Sequence, residues 1–172
     1  MNNTDIQKFI DKAKKMEQGH QMDLSSGEDL SMAIMNLIGI EEHMFFTSQK
    51  LGEIKYIEVL NTAREMRKEL MKKIVKEGHG EVWCASKHLL SASMRLMEVG
   101  TKYLTKGDNK EANEYFKKSF DLYNLFWGLN LGLVKSNPTK LKFEDKDKPL
   151  PKKDFLGSIS QTIGKILDCC RE

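Results

Sequence analysis

Apolar positions recur every three to four residues along most of the first 135, and that rhythm predicts helices rather than strands. After Gly80, Ala85, Leu89, Ala92, Leu96, Val99 and Tyr103 share one stripe that ends near Thr105. The turn Lys106-Gly107-Asp108 follows. Gly107 stands where a helix end takes a left-handed residue, and Asp108 with Glu111 forms a capping box for the next helix. That helix carries Ala112, Tyr115, Phe116, Ser119, Tyr123 and Phe126 on one side. From Tyr123 to Val134 the charges disappear, so the helix is expected to continue there and to be apolar on most sides. Such a helix is buried all round or meets a partner. The stretch is too short to span a bilayer.

The same rhythm places three helices upstream. Thr4-Asp5-Ile6-Gln7 caps a short helix to about Glu17, with Ile6, Phe9, Ile10, Ala13 and Met16 on one side. A loop covers residues 18–27. A second helix runs to Leu51 on the stripe Leu30, Ile34, Leu37, Ile38, Glu41, Phe45, and stops at Gly52. A third runs from about Glu53 to Lys76 on Tyr56, Leu60, Ala63, Arg67, Leu70 and Ile74. Short glycine turns make sequential helices antiparallel, so the expectation is an all-α, up-down bundle of four long helices with a short N-terminal helix laid across it. All three prolines fall between Pro138 and Pro151, which suits uninterrupted helices before them.

The chain divides into a helical bundle domain (1–135), a Lys-, Asp- and Pro-rich flexible linker (136–153) and an amphipathic C-terminal helix (154–172). Phe155, Leu156, Ile159, Ile163, Ile166 and Leu167 share one face of that last helix. Ser158, Ser160, Gln161, Thr162 and Lys165 make the other.

The hairpin over about residues 89–124 resembles a single tetratricopeptide unit. Leu96, Val99, Gly100 and Tyr103 fall at first-helix positions of that family, and Gly107-Asp108, Ala112, Phe116 and Ser119 at its turn and second-helix positions. The family's closing proline is replaced by Asn124, and no second copy follows at the family's period. About three copies are needed for a stable solenoid. The resemblance therefore implies a packing mode, two antiparallel helices with small residues at the crossing, and does not by itself imply peptide binding. An ordinary αα-hairpin inside a bundle is the plainer alternative.

Composition narrows the function classes. With 28 basic and 25 acidic residues the net charge is +3, which indicates neither nucleic acid nor a strongly acidic partner. Arg64, Lys68, Lys72 and Lys76 form a ridge, but Glu65 and Glu69 lie alongside and make it a solvated face. No signal-peptide pattern opens the chain. Three cysteines, Cys84, Cys169 and Cys170, do not make a disulfide framework, so a reducing cytoplasm is expected. Ten methionines read as plastic core filling.

Three groups of residues could carry function. Cys84 and His88, four residues apart on one helix side, could hold Zn²⁺ or Fe together with His43 and Glu42 from the second helix. A di-iron site of the ferritin kind is not indicated, because Ile40 and Ala85 occupy the positions three before His43 and His88. Glu41 and Arg67 lie on apolar stripes and Arg95 borders one. A carboxylate there needs a partner, so a polar layer joining Glu41 to Arg67 or Arg95 is expected. Finally, Leu125, Phe126, Trp127, Leu129, Leu131 and Leu133, with Phe155, Ile159, Ile163 and Ile166, offer more apolar surface than single helices need.

No phosphate loop or nucleophile elbow is present. Nor does any arginine precede a histidine by the four to six residues that HEPN-type nucleotidyl-cleaving domains carry. The expectation is a non-catalytic helical interaction or assembly protein, self-associating as a homo-oligomer and without a cofactor. The alternative is a metal-binding bundle using Cys84 and His88. For the C-terminal helix, docking on the bundle or a neighbouring subunit is preferred to a membrane surface, because Lys165 is the one basic residue in the middle of its polar face.

Overall fold

The computed structural model describes residues 24–76 and 80–132. They form an all-α bundle: α1 (Leu24–Leu51), α2 (Lys55–Ile74), α3 (Glu81–Thr105) and α4 (Asn109–Asn130). There is no strand among the described residues. The expected helix before Glu17, the linker and the C-terminal helix lie outside them.

Each pair of sequential helices is closed by a glycine. Gly52 ends α1 with φ 69° and its N–H on the Ser48 carbonyl at 2.8 Å. Gly107 takes φ 79° after α3, where Asp108 N–H reaches back to the Tyr103 carbonyl at 3.0 Å. That six-to-one bond uses up a carbonyl the helix end leaves orphaned. The Asp108 carboxylate then accepts from Glu111 N–H at 3.1 Å and starts α4. Such short connections force antiparallel hairpins. At its other end α4 stops at Asn130 rather than Val134, because Gly132 adopts φ 64° and closes the helix.

The α3–α4 hairpin crosses on small residues. Ser86, Ser93 and Gly100 recur every seven residues on α3 and face Asn130, Ser119 and Ala112 on α4. Ser93 Oγ–H donates to the Ser119 carbonyl at 2.9 Å, and Ser119 Oγ–H donates to the Ser93 carbonyl at 2.7 Å. Both hydroxyl protons are thereby used, and the backbones approach closely enough for a buried serine to be satisfied by the opposite helix. The buried face of α3 is Ser86, Leu90, Ser93 and Gly100, about one residue out of phase with the stripe Ala85, Leu89, Ala92, Leu96 read from hydrophobicity.

Gly100 has no room for a side chain. A Cβ there would come within 2.6 Å of the Phe116 ring and 3.2 Å of the Ala112 carbonyl oxygen. Gly100→Ala should therefore lower stability by about 1–3 kcal/mol through overpacking, despite the ~1 kcal/mol that alanine gains in a helix interior. Chemical denaturation tests this. A midpoint equal to or above the parent's would mean that Phe116 swings aside freely.

The two hairpins share one core. It is built from Ile34, Met35 and Ile38 of α1, Met71, Ile74 and Val75 at the end of α2, Leu90 of α3, and Tyr123, Phe126, Trp127 and Leu131 at the end of α4. Both hairpin tips lie away from it. There Phe45, Phe46, Leu51, Ile54 and Leu104 stand exposed. At the second tip Tyr103 stacks on Tyr115 with centroids 5.3 Å apart, and Lys106 and Lys118 cover the two rings.

Candidate functional site

Ion pairs gather where α1 meets the other helices. Glu41 accepts two bonds from Arg67, through Nε and, at 3.3 Å, through Nη2. It also accepts from Arg64 Nε at 3.0 Å. Arg67 is buried in α2, and its remaining Nη1 points at the Met71 sulfur at 3.5 Å. Burial pushes the Glu41 carboxyl up, but hydrogen bonds and charge from Arg67 and Arg64 outweigh it, and the carboxyl sits below its ordinary value. The cluster thus locks α1 to α2. It holds no unused acid or base, which makes it a structural clasp rather than a reaction centre.

Glu42, one residue on, turns to the second hairpin. Its carboxylate accepts from Arg95 Nη2 at 2.5 Å and from Ser91 Oγ at 3.2 Å. Arg95 therefore pairs with Glu42, not Glu41, and more than half of its side chain is exposed. Glu42 and Arg95 help line a polar hollow of about 560 Å³ with Gly39, His43, Phe46, Thr47 and Lys50.

The metal-ligand set that the sequence offers as an alternative is not assembled among the described residues. Cys84 is an exposed free thiol and His88 is exposed on the same helix. Neither lines the hollow that holds His43 and Glu42. Among the described residues no three His, Cys, Asp or Glu side chains converge as a metal site would require. Helical spacing aligned Cys84 with His88, but topology decides convergence, and Glu42 is committed to Arg95.

The apolar end of α4 is also placed differently from its reading as a contact surface. Phe126 and Trp127 are buried in the shared core, with ring centroids 5.2 Å apart. Leu125 and Leu129 are half-buried, and Leu131 is buried. Leu133, Phe155, Ile159, Ile163 and Ile166 lie outside the described residues. The excess of apolar side chains on α4 is taken up by this chain's own helices, because two hairpins cover it where one would not. Asn124 is fully buried beside these rings, and among the described residues no group pairs with its amide or with the Trp127 indole N–H.

Hydrophobicity patterns gave no sign of a second hollow, which opens between α1 and the α3–α4 hairpin. It is a groove of about 440 Å³ lined chiefly by Met32, Met35, Met94, Met97, Phe116 and Phe120. Its polar atoms come from Asn36, Ser93, Ser119 and Tyr123. Ser93 and Ser119 spend their protons on each other's carbonyls. The Tyr123 hydroxyl lies 2.8 Å from Ser31 Oγ, whose own proton goes to the Glu28 carbonyl at 2.7 Å, so tyrosine is the donor. Asn36 is exposed and gives one amide N–H to the Met32 carbonyl at 3.1 Å, so what the groove presents is chiefly apolar and polarisable, with one amide at its edge. Met32, Met97 and Phe120 each remain close to half exposed.

No known protein family, no curated protein and no solved structure matches the chain. No helix of the described residues is long and apolar enough to cross a membrane.

Proposed function

We propose that this chain is a non-catalytic helical interaction protein that self-associates. The observation that supports this most directly is the tip of the first hairpin. Phe46 is 68% and Ile54 75% exposed, with Phe45 and Leu51 close to half exposed beside them. Large apolar side chains grouped on one end of a protein favour association, because each one removed from water contributes on the order of 1.5–3 kcal/mol. A second copy brings the same tip and so satisfies both surfaces at once, as in an isologous pair.

In this reading the bundle is an up-down scaffold and the Glu41–Arg67 and Glu42–Arg95 pairs keep it rigid while the tip makes contact. The tetratricopeptide-like residues of α3 and α4 contribute a close helix crossing rather than a peptide-binding surface.

Sedimentation equilibrium tests the proposal. The parent should form dimers or larger species at micromolar concentration. Phe46→Asp with Ile54→Asp should weaken association at least about tenfold while leaving the circular dichroism and the denaturation midpoint unchanged. A parent that stays monomeric up to about 1 mM, a free energy of association weaker than roughly 4 kcal/mol, would end it.

A further inference from the structure

We propose that the methionine-lined groove between α1 and the α3–α4 hairpin is the seat of residues 154–170 of the same chain. The inference does not depend on the hairpin tip, which lies elsewhere on the molecule. It rests on three properties that fit one another: what the groove presents, what the segment presents, and how far apart the chain lets them be.

The groove wants an apolar occupant. Its walls are four methionines and two phenylalanines. Unbranched thioether side chains adjust to whichever shape enters, which is why methionine-rich surfaces take up helices. An open groove of this kind keeps Met32, Met97 and Phe120 in water at a cost that an occupant would remove.

The segment offers an apolar face. Phe155, Ile159, Ile163 and Ile166, flanked by Leu156 and Leu167, follow the spacing by which an amphipathic helix lays anchors into a groove. The N-terminal stretch from Ile6 to Met16 is the weaker candidate. Its apolar side holds five residues, one of them the small Ala13, against six large ones on the C-terminal segment.

The tether has the right reach. The described chain leaves α4 at Gly132, and Tyr123, Phe120 and Phe116 of that same helix line the groove. The distance back from Gly132 to Tyr123 is ~14 Å along a helix axis. The connection over residues 133–153 has a root-mean-square span of roughly 25 Å if it behaves as a coil. A tether whose natural span is comparable with the separation of its ends gives an effective concentration near the millimolar range. The chain's own segment therefore has an advantage over a free partner of equal affinity. Pro138, Pro149 and Pro151 prevent α4 from running on as one helix into the segment, so the chain can turn back.

Photo-cross-linking in the full-length protein tests the assignment. Benzoylphenylalanine in place of Phe120 should form an intrachain cross-link to residues 155–167, identified by mass spectrometry of the monomer band. In Ile159→Asp with Ile163→Asp that product should fall at least about tenfold, since charged groups do not enter an apolar groove without a partner. Loss of docking should lower the denaturation midpoint, while the unfolding transition stays cooperative. Cross-links to residues 1–23 would assign the groove to the N-terminal stretch and overturn the proposal. A product joining two chains, shown with mixed isotope-labelled protein, would assign it to a second copy and also overturn it. So would flotation of the parent with phosphatidylserine vesicles together with loss of the intrachain product, which would place the segment on a membrane. A groove that cross-links to nothing would refute the proposal outright. The tip variants are read by sedimentation and not by this cross-link, and an interchain product would overturn the present proposal while leaving self-association standing, so the two failures are separable.

Discussion

Phe126→Ala is expected to destabilise the bundle by about 3–5 kcal/mol, the range for removing a fully buried aromatic ring. Phe126 is 0% exposed and sits among side chains contributed by all four helices. Its ring packs edge-on against Trp127 and lies 6.4 Å, centroid to centroid, from Tyr123. Alanine would leave a cavity that the neighbouring helices can close only by moving together. Domains of this size are typically stable by about 5–15 kcal/mol, so the variant should stand near the edge of folding at 37 °C. Urea denaturation followed by circular dichroism measures it. The opposite result is just as informative. A variant that keeps the parent's midpoint but loses association would put Phe126 on a partner surface, as its uncharged sequence context first suggests.

Glu41→Ala should cost about 3 kcal/mol, because removing one partner of a buried ion pair leaves the other charge without compensation. Arg67 is 5% exposed and has no water to fall back on, and Arg64 would remain beside it as a like charge. Glu41→Met combined with Arg67→Met should recover most of the loss, since an apolar pair of similar volume replaces an ion pair at little net cost. If the single variant loses less than about 0.5 kcal/mol, the carboxylate is effectively solvated and the clasp contributes nothing. Acidity provides an independent reading. The folded Glu41 carboxyl titrates below its ordinary value, so the folded state holds fewer protons than the unfolded one. Its stabilisation is complete above the ordinary glutamate range, about pH 4.3. It is lost as the pH falls through the lower folded value. Glu41→Ala should therefore show a shallower loss of stability between neutral and acid pH than the parent.

The fold was legible in the chain to the extent that local physics determines it. Helix ends at Leu51 and Thr105 follow from Gly52 and Gly107, and the start of α4 from Asp108. The Glu41–Arg67 pair could be anticipated because each interrupts an apolar stripe and a charge on such a stripe requires a counter-charge. Arg95 could not be assigned in the same way, since it only borders a stripe and its partner depends on how the hairpins cross. The true face of α3 was hidden for a different reason. Hydrophobicity gives Ser86 and Ser93 no credit for burial, whereas a serine that donates to the opposite backbone packs closer than leucine can. A seven-residue recurrence of Ser86, Ser93 and Gly100 was the available signal. The groove is a further step removed, because it arises from side chains on three helices and no single periodicity contains it.

The shared core fastens the two hairpins near their open ends, and beyond it each hairpin is held by its own interface and by surface charge. Such a bundle does not breathe uniformly. Segments with few buried apolar contacts open at lower free energy than those that carry the core. The hairpin tips are therefore expected to open at lower free energy than the core around Phe126 and Ile34, with the Glu42–Arg95 pair resisting their separation. Ser93 and Met97 lie along α3 between that core and the second tip. The groove they line therefore runs from the packed core at Met35 and Tyr123 toward the less densely packed tip, and its outer end is expected to give way before its inner end does.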